Sequence, residues 1–415
     1  MAKCPPSSVY IHFPYCVRKC AYCDFLSYPL CAEEKNEYIG ALLSEIRLSP
    51  KWGAELLSRK EDMDAEEIPV EGTPFGDCVT EADRAGSSLK TIYFGGGTPS
   101  LMAPSQVEAV LRALSESFGI EKNCEITLEA NPGTTDESRL LALREAGVNR
   151  LSLGIQSLED PVLTTLGRIH DADAAKRAIR DARSAGFSNL SCDLMLGIPG
   201  QTIQSVKDTL AFLLAEDVPH ISLYSLILEE GTPMYTRYGG DIEKYVTQEE
   251  DREMYHLVTE TLGSCGFVHY EISNMARPGY ESRHNLMYWR AENYYGLGVG
   301  AHYYLGNERG RHVETVAEYI AQMRNRETRR SDVWVTEEIL SRKEQMKEYM
   351  MLGFRTQRGV EEKTFRERFS TPMDSAFGAE LQREIRAGLV TSEEGSYRLT
   401  EKGVDLANQV FMDYV

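Results

Sequence analysis

Over its first half this chain repeatedly alternates short β-rich runs with amphipathic helical stretches, and that rhythm limits its fold more than any other feature. Strand-forming runs fall at 9–13, 91–94, 125–129, 150–156, 191–196 and 221–226. Between them, apolar residues recur at helical spacing over 33–48, 104–118, 136–146, 172–185 and 203–215. Helix-length connections are what parallel strands require, with right-handed crossovers between them. This predicts an α/β fold, a parallel (β/α)6-type partial barrel rather than an open sheet. The expected barrel core spans 1–235, and 236–335 would complete it and link onward.

From residue 336 the pattern becomes helical at 337–352, 364–369 and 375–387, then a hairpin turning at Gly395. That order predicts a winged-helix-like α+β domain over 336–415. Such domains often read DNA, yet here 12 Lys/Arg face 15 Asp/Glu, so the basic footprint is missing. The whole chain carries 45 Lys/Arg against 64 Asp/Glu, a net charge of -19. A polyanion would be repelled by most of this surface, so neither nucleic acid nor an anionic membrane is an expected partner. One segment, 54–88, breaks the rhythm with ten acidic and three basic residues and no steady apolar period, and reads as a solvated insertion. No stretch reaches the ~20 apolar residues of a membrane span, and no apolar leader is seen at the start, so a cytoplasmic protein is expected.

Nine cysteines in 415 residues are too sparse and too uneven in number for a disulfide scaffold. Three of them, Cys16, Cys20 and Cys23, follow the first strand with C-x3-C-x2-C spacing. Three thiolates in one loop can hold three irons of a [4Fe–4S] cluster and leave the fourth iron open to a substrate. The alternative is structural zinc, which takes four closed ligands. Cys4, His12 or Cys31 are candidate fourth donors, but no second C-x2-C or H-x3-H pair follows. Downstream, Glu129, Gln156 and Asp193 stand where apolar strand runs end. In a β/α barrel that edge is where ligands bind.

The triplet, Tyr10-Ile11-His12-Phe13-Pro14-Tyr15 before it and Phe94-Gly95-Gly96-Gly97-Thr98-Pro99-Ser100 after it resemble the radical S-adenosylmethionine superfamily. The resemblance implies that S-adenosylmethionine chelates the open iron, and that an electron from the cluster cleaves its sulfonium. It assigns Cys16, Cys20 and Cys23 to the cluster, and Tyr10, Gly96 and Glu129 to the cluster-bound S-adenosylmethionine. Tyr22, Gly97, Thr98, Gln156, Arg168, Asp193 and Ile227 match positions that line a second S-adenosylmethionine or the shared pocket in related enzymes.

Within that superfamily the chain is similar to the coproporphyrinogen III oxidase-like branch. This branch contains both oxygen-independent coproporphyrinogen III dehydrogenases and haem chaperones of the HemW-like subgroup. Three features point to the chaperones. Cys23 is followed by Asp24 and Phe25 rather than by the dehydrogenases' further cysteine, and fifteen residues precede Cys16 where the enzymes carry an extension. His284-Asn285-Leu286-Met287-Tyr288-Trp289 matches the chaperones' H-N-x-x-Y-W element, in which a histidine could ligate haem iron and aromatic rings could pack on a porphyrin. The resemblance therefore implies haem as cargo, haem-accepting proteins as partners and room for a homodimer, with porphyrin decarboxylation as the alternative activity.

Overall fold

The computed structural model describes residues 6–58 and 88–415. The acidic stretch at 54–88 lies almost wholly outside the described residues. Only 54–58 and Ser88 fall within them, with 54–57 ending the helix Ala32–Leu57.

Six parallel strands, each leading into a helical segment, form the centre: β1 (Ser8–Phe13), β4 (Leu89–Gly96), β5 (Ile120–Ala130), β6 (Arg150–Gln156), β7 (Asn189–Leu196) and β8 (His220–Ser225). Two-residue strands β2 (Tyr15–Cys16) and β3 (Tyr28–Pro29) pair in the loop after β1. Three further strands widen the sheet. β11 (Tyr295–Leu297) runs parallel to β1, while β10 (Asn274–Ala276) and β9 (Val268–Glu271) add antiparallel beyond β8. The resulting order, β11-β1-β4-β5-β6-β7-β8-β10-β9, does not close, so the fold is a partial barrel.

Each central strand alternates with period two. One set, including Val9, Ile11, Phe94, Leu128, Leu151, Leu153, Leu190 and Ile221, packs under the helices in the main hydrophobic core. The other set is polar yet buried: Ser8, His12, Thr91, Thr127, Arg150, Ser152, Ser191, His220 and Ser222. A sheet with one apolar and one polar face can bury both only by curling the polar face inward, where its groups bond to one another.

A second sheet, β12 (His302–Leu305), β13 (Glu308–His312) and β14 (Trp334–Ile339), follows. Here the expected helix at 337–352 starts late. Trp334, Val335 and Thr336 favour strand and pair with β13, and the helix Arg342–Gly353 begins after Ser341, whose hydroxyl caps the Glu344 N–H. The helix expected at 33–48 instead runs to Leu57 through Pro50, because Trp52 and Leu56 are buried and Gly53 lets the Tyr295 ring approach where a Cβ would stand 2.0 Å from its hydroxyl. The C-terminal part has its own core of Tyr349, Phe354, Phe365, Phe369, Phe377 and Tyr414. Its sheet is β15 (Val360–Glu361), β17 (Ser396–Leu399) and β16 (Val390–Glu393). Helices Glu362–Phe369 and Met373–Arg386 precede the β16–β17 hairpin, giving the winged-helix-like layout.

One buried carboxylate ties these layers together. Glu45 is fully buried. It accepts from Trp334 Nε1 at 2.7 Å, Tyr319 hydroxyl at 2.5 Å and Gly298 N–H at 2.9 Å, and also pairs with His312. Burial opposes its charge, but His312 and these donors hold its carboxyl below the usual range. Replacing Glu45 with Ala leaves several buried donors without a partner. We expect Glu45→Ala to cost about 3–5 kcal/mol in a denaturant titration, and Trp334→Phe, which loses one donor, roughly 1–2 kcal/mol.

Candidate functional site

The loops at the carboxyl ends of the central strands meet at one rim. The β1 loop carries the three thiols, and its turn is pinned by backbone bonds from Tyr28 N to Pro14 O (2.7 Å) and from Leu30 N to Cys16 O (3.0 Å). Cys16, Cys20 and Cys23 are all half-buried. Burial raises the thiol pKa of Cys16, and raises that of Cys23 to about 11. Donors nevertheless point at the sulfurs: Thr98 hydroxyl lies 3.5 Å from Cys16 Sγ and Arg168 Nη1 lies 3.4 Å from Cys20 Sγ. Hydrogen bonds of this kind stabilise cluster-bound thiolate. Among the described residues no three His, Cys, Asp or Glu side chains converge on a single ion position. An iron–sulfur cube does not ask for that, since each thiolate binds its own corner iron.

The glycine run after β4 is needed for contact between loops. A Cβ on Gly97 would stand 2.7 Å from Tyr15 O and 2.9 Å from Phe13 O, and Gly97 and Thr98 donate their N–H groups to those same carbonyls. Gly96 has φ +106°, and a Cβ there would strike the His12 ring at 2.5 Å. The glycines thus seat the β4 loop on the cysteine loop and place Thr98 beside Cys16.

Next along the rim, Asn131 bridges two candidate residues. Its Nδ2 donates to Thr98 Oγ1 at 3.0 Å and its Oδ1 accepts from Arg168 Nη2 at 2.5 Å. Arg168 also donates to Gly154 O at 2.5 Å, while its buried Nε has no partner among the described residues. Gln156 ends β6 at φ 62°, a left-handed conformation uncommon outside glycine. Glu129 accepts from Tyr93 hydroxyl at 2.9 Å. Burial lifts its carboxyl to about 7, the Tyr93 bond opposes this, and the charge of Asp193 adds to it. Asp193 accepts from Ser222 (2.8 Å) and Ser152 (3.0 Å). Tyr10 stacks on Tyr93 with ring centroids 6.2 Å apart and bonds to His12. Tyr22 packs against the small cluster around Val162, Leu166 and Met234. Ile227, by contrast, is 68% exposed.

Tyr93 and Asn131 are two residues of this rim that sequence reasoning passed over. Asn131 was visible only as the residue before Pro132-Gly133, and Tyr93 as a strand aromatic. Their signal is positional: Tyr93 belongs to the polar face of its strand, and Asn131 follows directly where β5 stops.

The third group of candidates lies elsewhere. His284 is 1% exposed at the start of the helix Arg283–Trp289, on the inner face behind Tyr93, with ring centroids 5.1 Å apart. Thr91 donates to Ser8, so the 2.8 Å contact between Thr91 Oγ1 and His284 Nδ1 takes the ring N–H, leaving Nε2 to accept from Tyr288 hydroxyl at 2.9 Å. Burial, helped by the charge of Arg150, drops the imidazole to about 3, so it is neutral. Trp289 faces the other way. It is half-buried, with the Arg355 guanidinium 4.6 Å from its ring centroid and, among the described residues, no partner for Nε1. The structure therefore does not bring His284 and Trp289 to one point.

The glycine geometry yields a direct test. Gly97→Ala should lower the thermal midpoint, because the methyl meets backbone that cannot swing aside. Gly263→Ala, in the helix Gln248–Ser264 with nothing within 4 Å, should leave the midpoint unchanged or raise stability by about 1 kcal/mol.

Comparison with known proteins agrees with this architecture. Residues 10–213 match the model of the Radical SAM superfamily, and residues 340–406 match the HemN C-terminal domain. The chain is 35% identical over 408 residues to the heme chaperone HemW of Bacillus subtilis, covering 97% of this chain and 98% of that protein. It is 32% identical over 410 residues to HemW of Lactococcus lactis, covering 99% and 97%. In fold it matches the radical SAM enzyme coproporphyrinogen III oxidase (HemN) of Escherichia coli with a TM-score of 0.76 at 19% identity, over 98% of this chain and 89% of that one. The radical SAM assignment implies a [4Fe–4S] cluster and S-adenosylmethionine. With full-length relatives at about a third identity and both matched domains in the same order, this chain belongs to the HemW family of radical SAM proteins.

Proposed function

We propose that this protein is a haem chaperone: it binds haem as cargo, holds a [4Fe–4S] cluster with S-adenosylmethionine, and delivers the haem to acceptor proteins. The observation that carries this reading is the near-complete, 35%-identical alignment with a heme chaperone HemW. Cys16, Cys20 and Cys23 would hold the cluster, for which three half-buried thiols with donors aimed at two of the sulfurs are suited. Tyr10, Gly96 and Glu129 would meet the S-adenosylmethionine on the cluster, and Gly97 and Thr98 would shape its floor. Tyr22, Gln156, Arg168, Asp193 and Ile227 would line or border the shared pocket. When bound, the cluster supplies one electron to the sulfonium of S-adenosylmethionine. The chain's own part is to keep that pocket polar. Arg168 screens the sulfur charge while locked to Asn131 and Gly154 O, and Glu129 offers a carboxylate to a cationic ligand. The helix Arg283–Trp289 would serve the haem, His284 and Tyr288 as its internal anchor and Trp289 as its open face.

Three outcomes check this. Anaerobic reconstitution should give about four irons per chain, and Ala at Cys16, Cys20 or Cys23 should remove the brown absorbance; stoichiometric zinc without sulfide would sink the cluster assignment. S-adenosylmethionine carries net positive charge, so an ionised Glu129 favours it and a protonated one does not. Its affinity should rise with pH, by up to roughly tenfold per unit, until about 7 and then level off. Glu129→Gln should flatten that slope, and an unchanged slope would remove Glu129 from the site. Finally, haem titration should show binding, and coproporphyrinogen III should remain unconverted under reducing, reconstituted conditions; many turnovers of decarboxylation would replace the chaperone reading with the enzymatic one.

A further inference from the structure

A cleft of about 1030 Å³ opens at the amino ends of the central strands, on the side of the sheet away from the cysteine loop. It is at the upper end of the ~300–1,000 Å³ range of small-molecule sites, which often form where domains meet. One wall is the sheet base, including Asn149 and Asn189. A second is the helix Arg283–Trp289 with Leu286 and Trp289, and a third is the C-terminal segment with Tyr349 and Arg358. Backbone bonds hold that third wall in place: Ile272 N to Arg355 O and Gln357 N to Tyr270 O, both 3.0 Å. Arg368 also bonds to the backbone of Arg290 and Ala291 at the helix end.

We propose that this cleft is the porphyrin site, that it grips the macrocycle by its face and its carboxylates, and that the C-terminal domain forms one wall of it. The proposal rests on the haem-chaperone reading and deepens it. Its first support is where the helix sends its side chains. Both ring nitrogens of His284 are committed inside the sheet, so the only histidine of the H-N-x-x-Y-W element has no lone pair to offer iron. Leu286 and Trp289, on the other side of the same helix, are half-buried and line the cleft.

The second support is unpaired polarity. Among the described residues, Trp289 Nε1 and Asn189 Oδ1 are both buried at the wall without partners. Each such atom costs about 1–3 kcal/mol unless something else meets it. The third is charge. The lining carries as many arginines (Arg283, Arg290, Arg358) as glutamates (Glu125, Glu281, Glu361), on a chain whose net charge is -19. All three glutamates are occupied locally: Glu125 accepts the Arg283 and His284 N–H groups, Glu281 the Gly279 N–H and Glu361 the Thr364 hydroxyl; of the arginines, Arg283 donates to Asn123 O at 2.7 Å. Arg290 meets Glu292 only at 3.9 Å, and Arg358 is exposed at the lip. The cleft is thus a place where a planar dicarboxylate finds both an aromatic and aliphatic surface and guanidinium groups.

The test uses the full-length reconstituted protein and three probes: haem, metal-free protoporphyrin IX and haem dimethyl ester. Metal-free protoporphyrin should bind within a few-fold of haem, because the grip does not pass through iron, and the dimethyl ester should bind about tenfold or more weakly. Arg358→Glu should weaken haem binding about tenfold; the residue is exposed, so the fold should survive the change. Trp289→Phe should keep most of the affinity, and Trp289→Ala should lose about tenfold or more with the iron content unchanged. His284→Gln should leave the Soret position where it was. Wild-type haem affinity in both Arg358→Glu and Trp289→Ala overturns the cleft while leaving the chaperone reading intact. A Soret shift confined to His284→Gln, with metal-free protoporphyrin failing to bind, overturns it in favour of axial ligation. Failure of the wild type to bind any of the three probes removes the chaperone reading itself.

Discussion

The structure depends on one constraint: the central strands carry buried polar residues on one face and apolar residues on the other. A flat sheet would leave Arg150, Ser152, Thr127 and Ser191 unsatisfied against a second hydrophobic layer. Curled inward, Ser152 and Ser191 find partners on neighbouring strands, while among the described residues the Thr127 hydroxyl and Arg150 Nε stay unpaired. Asp193 takes three serine hydroxyls, those of Ser152, Ser191 and Ser222, and Ser191 contacts His220 at 2.7 Å. Buried polar networks of this kind are costly when incomplete and specific when complete. That cost makes the curvature part of the fold, and the curvature brings loops from distant points of the sequence to one rim.

At the rim, the same reasoning explains why the site residues are held so firmly. Asn131 has one amide to divide, and it gives the donor to Thr98 and the acceptor to Arg168. The two residues that reach the cysteine sulfurs are therefore coupled through a third. The glycines contribute by having no side chain in a space already filled by the Phe13 and Tyr15 backbone. A thiol loop between two such neighbours has little freedom left to lose on binding a cofactor, which is what preorganisation requires.

Much of this could be read from the chain alone, and the exceptions have physical causes. The strand at Arg150–Gln156 and the helices Pro104–Phe118 and Ile203–Ala215 stand where periodicity put them, because each is long enough to show its period. Strands β9, β10 and β11 have three or four residues and no pattern to show; they exist because existing edges could pair with them. The start of the helix Arg342–Gly353 was obscured because Glu337, Glu338 and Ile339 suit either state locally, and pairing to β13 decides the matter. The spacing of the cysteine triplet was legible because it is local. The contact between Thr98 and Cys16 was not, since it joins residues 82 apart through tertiary packing.

The H-N-x-x-Y-W element shows how residues adjacent in sequence part company on a helix. A histidine, a tyrosine and a tryptophan within six residues suggest one aromatic cage. On a helix, however, positions 284 and 288 share a face, and position 289 is turned about 100° onward. His284 and Tyr288 accordingly bond to each other inside the barrel, and Trp289 emerges at the domain junction. The inner pair fixes the rotation and depth of the helix through Thr91 and Glu125, and that fixed rotation presents the indole to the cleft. The same inner face continues from Asp193 through Ser191 and His220 to Tyr270, a residue of the cleft wall. The rim that would hold S-adenosylmethionine and the cleft at the sheet base are therefore two ends of one hydrogen-bonded interior.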